Sequence, residues 1–210
     1  MMSASEQKRF AEKLRKDFGQ GVLVDTPFPE PYCEEKSKVK AIYLGCDPSN
    51  KHCRKLEYVF ALPNGDPPVF RRMIATIGAN LRQVGLSWDN VFVQNLCRNY
   101  FELETAKNTP LWNQVAAIWI PILREELSQF KPDIPVLLSA EVIYRILLNE
   151  GVKPKNAVEF YTCRQTATIP IPADASQLGR PLIPFYRHWY YDLNKKEWSR
   201  YKAAVASSVH

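Results

Sequence analysis

The chain has 210 residues, 46% of them hydrophobic, and 28 Lys and Arg against 22 Asp and Glu give it a formal charge of +6 and a pI near 9.0. That length fills one core well and two large ones poorly, so a single domain over residues 1–210 is expected. The charge suits a polyanionic partner such as nucleic acid, whereas MMSASEQKRFAEKLRKDF scatters charge and offers no apolar block for a signal peptide or a membrane span, so a cytoplasmic protein without a membrane partner is expected. Cys33, Cys46, Cys53, Cys97 and Cys163 are odd in number and form no C-x-x-C, which fits a reducing compartment and gives neither a disulfide framework nor a metal site; no cofactor is expected.

In chain order, Ser3 or Ser5 can cap a first helix in which Phe10, Leu14 and Phe18 recur every fourth residue before Gly19 and Gly21 end it. TPFPEPYCEEKSK, residues 26–38, is rich in proline and charge and predicts an extended connection. Residues 1–38 are therefore an N-terminal helix and a Pro-rich connection, and the core spans 39–205. VKAIYL (39–44) predicts the first strand. Pro67-Pro68 open a helix carrying Phe70, Ile74, Ile77, Leu81 and Val84 and closed by Gly85. NVFVQN (90–95) predicts a second strand, and Thr109-Pro110 start a helix carrying Trp112, Val115, Trp119, Leu123 and Leu127, which Pro121 should kink. Both tryptophans read as core. IPVLLSA (134–140) predicts a third strand, followed by a helix over Val142, Ile143, Ile146 and Leu147 ending near Gly151. TATIPI and PLIPFY are extended, and KKEWSRYKAAVA is a terminal helix.

Strands alternating with helices of this length predict an α/β fold, a three-layer α/β/α arrangement around a central, mostly parallel four-stranded sheet. Such sheets bind ligands beyond the carboxyl ends of their strands. Asp47, just past the first strand in AIYLGCDPSN, and Asn95, closing the second, both fall there. Asp, Pro and Asn are also ordinary turn residues, so placement alone leaves a structural reading open.

Four stretches in order, GCDP (45–48), YVFALP (58–63), VFVQN (91–95) and FYRHWYY (185–191), resemble the motifs of the uracil-DNA glycosylase superfamily over roughly residues 39–205. The resemblance implies a monomeric, cofactor-free hydrolase that cleaves the N-glycosidic bond of uracil or a related damaged base in single- or double-stranded DNA, as in base excision repair. Two departures stand out. His188-Trp189-Tyr190 replaces the usual His-Pro-Ser, and Ser49-Asn50 replaces a Tyr-His whose ring resembles a gate against the 5-methyl group of thymine.

Glycosidic cleavage builds positive charge on the sugar and negative charge on the leaving base, so two stabilising groups must face one pocket. By resemblance Asp47 would orient the attacking water and stabilise the sugar cation, and His188 would donate to a carbonyl oxygen of the departing pyrimidine. Asn95 carries an acceptor and a donor on one plane, matching the N–H and C=O edge of uracil and mismatching cytosine. Phe60 would stack on the extruded base, and the peptide units at Cys46 and Asp47 would add backbone hydrogen bonds. Lys51, Arg54, Lys55 and Arg187, with Arg71 and Arg72, would grip phosphates, and Tyr190 or Tyr191 would fill the gap left by the flipped base.

Two rival readings stay open. One is a catalytically inactive nucleic-acid-binding module that keeps the glycosylase fold. The other is an enzyme acting on free nucleosides, although the chain lacks G-x-G-x-x-G, a phosphate loop of the Walker type and a nucleophile elbow.

Overall fold

Alternation is the sequence feature from which the architecture follows. In a strand, successive side chains point to opposite faces, and here Ile42, Leu44, Phe92, Val136, Leu138 and Leu182 enter one apolar core while Tyr43, Val91, Val93, Leu137 and Ile183 enter another. Both faces are buried, as a parallel sheet covered on each side requires. The computed structural model describes residues 2–48, 55–63, 65, 69–149, 169–185 and 192–209. Within them β1 (Ala41–Gly45), β2 (Val91–Asn95), β3 (Val136–Leu138) and β4 (Leu182–Pro184) form one sheet in the order β2-β1-β3-β4, with every pairing parallel.

Helices α1 (Ala4–Phe18), α3 (Thr109–Leu127) and α4 (Glu141–Leu147) supply the first core, and α2 (Val69–Gln83) and α5 (Ser199–Ser208) supply the second. The fold is a three-layer α/β/α arrangement. α1 starts at a capping box in which Ser3 and Glu6 satisfy each other's backbone N–H groups, and it stops at Gly19, whose φ of 85° suits glycine. α3 is one continuous helix that carries Pro121 in its interior. Its buried face, with Trp112, Trp119 and Leu127 fully enclosed, holds the turn in place. Trp119 receives the edges of Phe10 and Phe28 at ring-centroid distances of 5.0 and 5.7 Å and donates to Asn99 Oδ1 at 2.8 Å. The tryptophans are core, as their spacing predicts.

The end of α3 is closed by a distant side chain. Arg180, 5% exposed, donates through Nη1 and Nη2 to the carbonyls of Lys131, Leu127 and Phe130 at 2.5–2.8 Å. Leu127 O and Lys131 O also accept turn hydrogen bonds from Phe130 N–H and Ile134 N–H at 3.0 and 3.2 Å, and Arg180 adds to them past the end of the helix. α4 is shorter than expected, ending at Leu147 with Leu148 already extended. No helix among the described residues is long and apolar enough to cross a membrane.

The connections dictate where a ligand can sit. α2 follows β1 on one face of the sheet, α4 follows β3 on the other, and β1 and β3 are neighbours. Beyond their carboxyl ends the chain diverges to opposite faces, the place where open sheets of this kind form a ligand crevice.

Candidate functional site

Gly45 ends β1 directly opposite Asn95, which ends β2. Pairing continues past both strands, with Leu96 N–H donating to Gly45 O at 2.8 Å and Cys97 N–H to Cys46 O at 2.9 Å. The backbone therefore delivers residues 45–47 and 95–97 side by side at the crevice. Glycine at the strand end allows a close approach. A Cβ on Gly45 would lie 2.3 Å from Asn95 Oδ1 and 2.5 Å from Phe60 Cζ. The Asn95 amide and the rim of the Phe60 ring thus converge on one point above Gly45.

Phe60 reaches that point from a 3-10 turn, Val59–Ala61, in which Phe60 and Ala61 both have φ of 59°. The left-handed region is unfavourable for residues with a Cβ, and two in succession mark a turn held by its surroundings. Phe60 is held by Tyr43, the ring centroids 5.5 Å apart at 62°. Residues 57–59 are tied to the preceding connection, Glu30 N–H donating to Glu57 O at 2.8 Å and Val59 N–H to Glu30 O at 3.0 Å.

Asn95 is 3% exposed, and its backbone N–H donates to Gln94 Oε1 at 2.9 Å. Its side-chain amide makes no hydrogen bond with any described residue. The Asn95 amide therefore stands beside the Phe60 ring with its donor and acceptor uncommitted to the described residues.

Asp47 is half-buried, and Thr105, in the 3-10 turn Thr105–Lys107 before α3, donates its hydroxyl to Asp47 Oδ2. That contact fixes the carboxylate's rotation. Close by, burial pushes the fully enclosed Cys97 thiol well above the usual thiol range, and the neighbouring Asp47 and Cys46 push it further the same way. Cys46 is buried and its side chain belongs to the core, while its carbonyl accepts from Cys97 N–H. Among the described residues, no three of His, Cys, Asp and Glu gather closely enough to hold a metal ion.

Asp47, Cys46, Phe60 and Asn95 therefore gather at the carboxyl ends of β1 and β2. Lys55 is exposed, and its ammonium group donates to Thr26 O, which ties it to the Pro-rich connection. Arg71 and Arg72 are exposed on α2. Lys51, Arg54, Arg187, His188, Tyr190 and Tyr191, together with Ser49, lie outside the described residues. Two contributors escape a sequence reading. Thr105 is 58 positions from Asp47 and carries no local signal, whereas Gly45 carries one, a glycine closing an otherwise apolar strand. No protein-family model matches the chain, and no curated protein matches it either.

Proposed function

We propose that the protein is a DNA glycosylase-type hydrolase that cleaves the N-glycosidic bond of uracil or a related damaged base in DNA. One observation carries the reading: an unpaired, nearly buried amide at Asn95 and the ring of Phe60 converge above Gly45, with the Asp47 carboxylate two residues further along the same backbone. An aromatic face, a planar donor and acceptor, and an anion are the three elements that base extrusion and hydrolysis demand.

In this scheme the base enters with its face on Phe60 and its N–H and C=O edge on Asn95. Asp47, held by Thr105, orients water toward the anomeric carbon and stabilises the cationic sugar as the bond breaks. His188 donates to the departing base and stabilises its negative charge. The proton balance is simple: water adds hydroxyl to the sugar, and the base leaves as an anion that is protonated on release. The surplus of lysine and arginine favours a DNA strand as the carrier of the base. With the small Ser49 in place of a bulky gate, a 5-substituted pyrimidine is accepted as well.

The test is release of free base from oligonucleotides containing uracil, in single and double strands, by the intact protein and by Asp47→Asn. The variant is expected to lose at least about 100-fold in rate, in the range seen when one electrostatic group is removed from an active site. Absence of release by the intact protein across several lesions would leave the inactive binding module as the better account, and salt-dependent binding unaffected by His188→Ala would identify it.

A further inference from the structure

The geometry points to a second binding site, for a small zwitterion of the amino-acid class, in a cavity on the α1 and α3 side of the β2 edge. The cavity has a volume of about 910 Å³, and Arg98 lies in its lining. Arg98 is 5% exposed, and its side chain makes no hydrogen bond among the described residues: its Nε and Nη2 are enclosed without a partner. Its ion pairs among the described residues are long, 3.7 Å from Nη2 to Glu30 Oε2 and 3.9 Å from Nη1 to Glu126 Oε1. A guanidinium carries five N–H donors in a rigid fork, and burying it with none satisfied is costly. Nη1 is the one nitrogen absent from the enclosed set, so it is the donor that meets the cavity. Among the described residues, Nη1 has no acceptor within hydrogen-bond distance.

The carboxylates of the cavity also outnumber its cations. Glu6, Glu30, Glu125 and Glu126 face the cavity against Lys36 and Arg98, a formal surplus of two negative charges in a protein that is basic as a whole. Lys36 is already engaged, donating to Gln129 Oε1 at 2.8 Å, and Glu126 accepts only a neutral partner, Gln94 Nε2 at 3.1 and 3.3 Å. A phosphate or a simple carboxylic acid would supply the acceptor and add to the negative charge. A simple amine would balance the charge and leave Arg98 unsatisfied. A molecule carrying both a carboxylate and an ammonium group meets both needs, the carboxylate on Arg98 and the ammonium between Glu30 and Glu126. Pro31, Phe92 and Ile122 provide an apolar wall for the body of such a ligand.

Calorimetric titration of the full chain with L-leucine and L-phenylalanine tests this, with 3-methylbutylamine, 4-methylpentanoate and inorganic phosphate as comparators. At least one amino acid is expected to bind with a Kd of about 1 mM or tighter, and the amine and the acid about 10-fold or more weakly. Glu30→Gln, at a half-exposed position that does not threaten folding, and Arg98→Met are each expected to weaken binding about 10-fold. Three results would overturn the assignment: no binding of either amino acid, binding of the amine, the acid or phosphate as tight as theirs, or binding unchanged by Glu30→Gln.

Discussion

Adding one methyl group to Gly45 tests the geometry of the crevice without presuming its chemistry. The φ angle of Gly45 is not positive, so alanine meets no backbone penalty there and the whole effect is spatial. The new Cβ would stand 2.3 Å from Asn95 Oδ1 and 2.5 and 2.8 Å from Phe60 Cζ and Cε2. Ordinary contact needs about 3.5 Å or more, so both side chains must retreat by roughly 1 Å. Neither is free to do so cheaply, because Phe60 is packed on Tyr43 in an already left-handed turn and Asn95 is locked in register with Gly45 itself. Overpacking of this kind costs about 1–3 kcal/mol. Urea unfolding followed by tryptophan fluorescence should show Gly45→Ala with a lower midpoint and an unchanged slope. The cost should be shared with its neighbours: combined with Asn95→Ala or with Phe60→Leu, the methyl should cost at least about 0.5 kcal/mol less than it does alone. If Gly45→Ala is as stable as the parent to within about 0.5 kcal/mol, or if its cost adds independently to that of both partners, the convergence above Gly45 is not real.

Arg180→Met keeps the length of the side chain and removes three charged hydrogen bonds, those to the carbonyls of Leu127, Phe130 and Lys131, and it should lose at least about 2 kcal/mol in the same urea assay. Cys97 governs part of the alkaline limb. Burial raises its folded pKa, so the unfolded chain gives up that proton first, near pH 8.5, and stability falls as pH rises beyond that value. Between about pH 7.5 and pH 9.5, Cys97→Ala should lose less stability than the parent, and equal losses would contradict the assignment. Ala61→Gly should be tolerated to within about 1 kcal/mol, because relief of the left-handed strain offsets the lost methyl and the added chain entropy, whereas Ala116→Gly in the middle of α3 should cost about 2 kcal/mol.

Much of the fold is legible in the sequence because burial on both faces of the sheet leaves a simple mark. NVFVQN, IPVLLSA and PLIPFY each enclose an observed strand, VKAIYL covers all of β1 except its closing Gly45, and Ser3 and Gly19 bound α1 where capping chemistry places them, whereas the cap position of α3 falls on Asn108 and not on Thr109. Pro121 removes a donor from the middle of α3, and Trp119, Ile120 and Leu123 around it are buried in a continuous core that keeps the helix whole. One detail escapes local reasoning because tertiary contacts override propensity. The helix after β3 stops at Leu147, before the glycine that would mark its end, because Leu148 pairs with Ser176 and leaves the helical path.

The candidate site is legible in a different way. Asp47 and Asn95 are visible because the rule about strand ends needs only the strands, and Phe60 is visible through its motif. What makes the three a site is not local: the left-handed backbone at Phe60 and Ala61, the hydroxyl of Thr105 on Asp47, and the space above Gly45 all arise from segments meeting across tens of residues. Two successive residues with a Cβ in the left-handed region cost about 1–2 kcal/mol each, a strain that the surrounding packing has to hold. The turn sets the rim of the Phe60 ring against the strand-ending Gly45, beside the Asn95 amide, where a Cβ would leave no room for either. On the proposed function, strain, missing side chain and an amide without a hydrogen bond among the described residues coincide where the base would lie, and Gly45→Ala probes that coincidence directly.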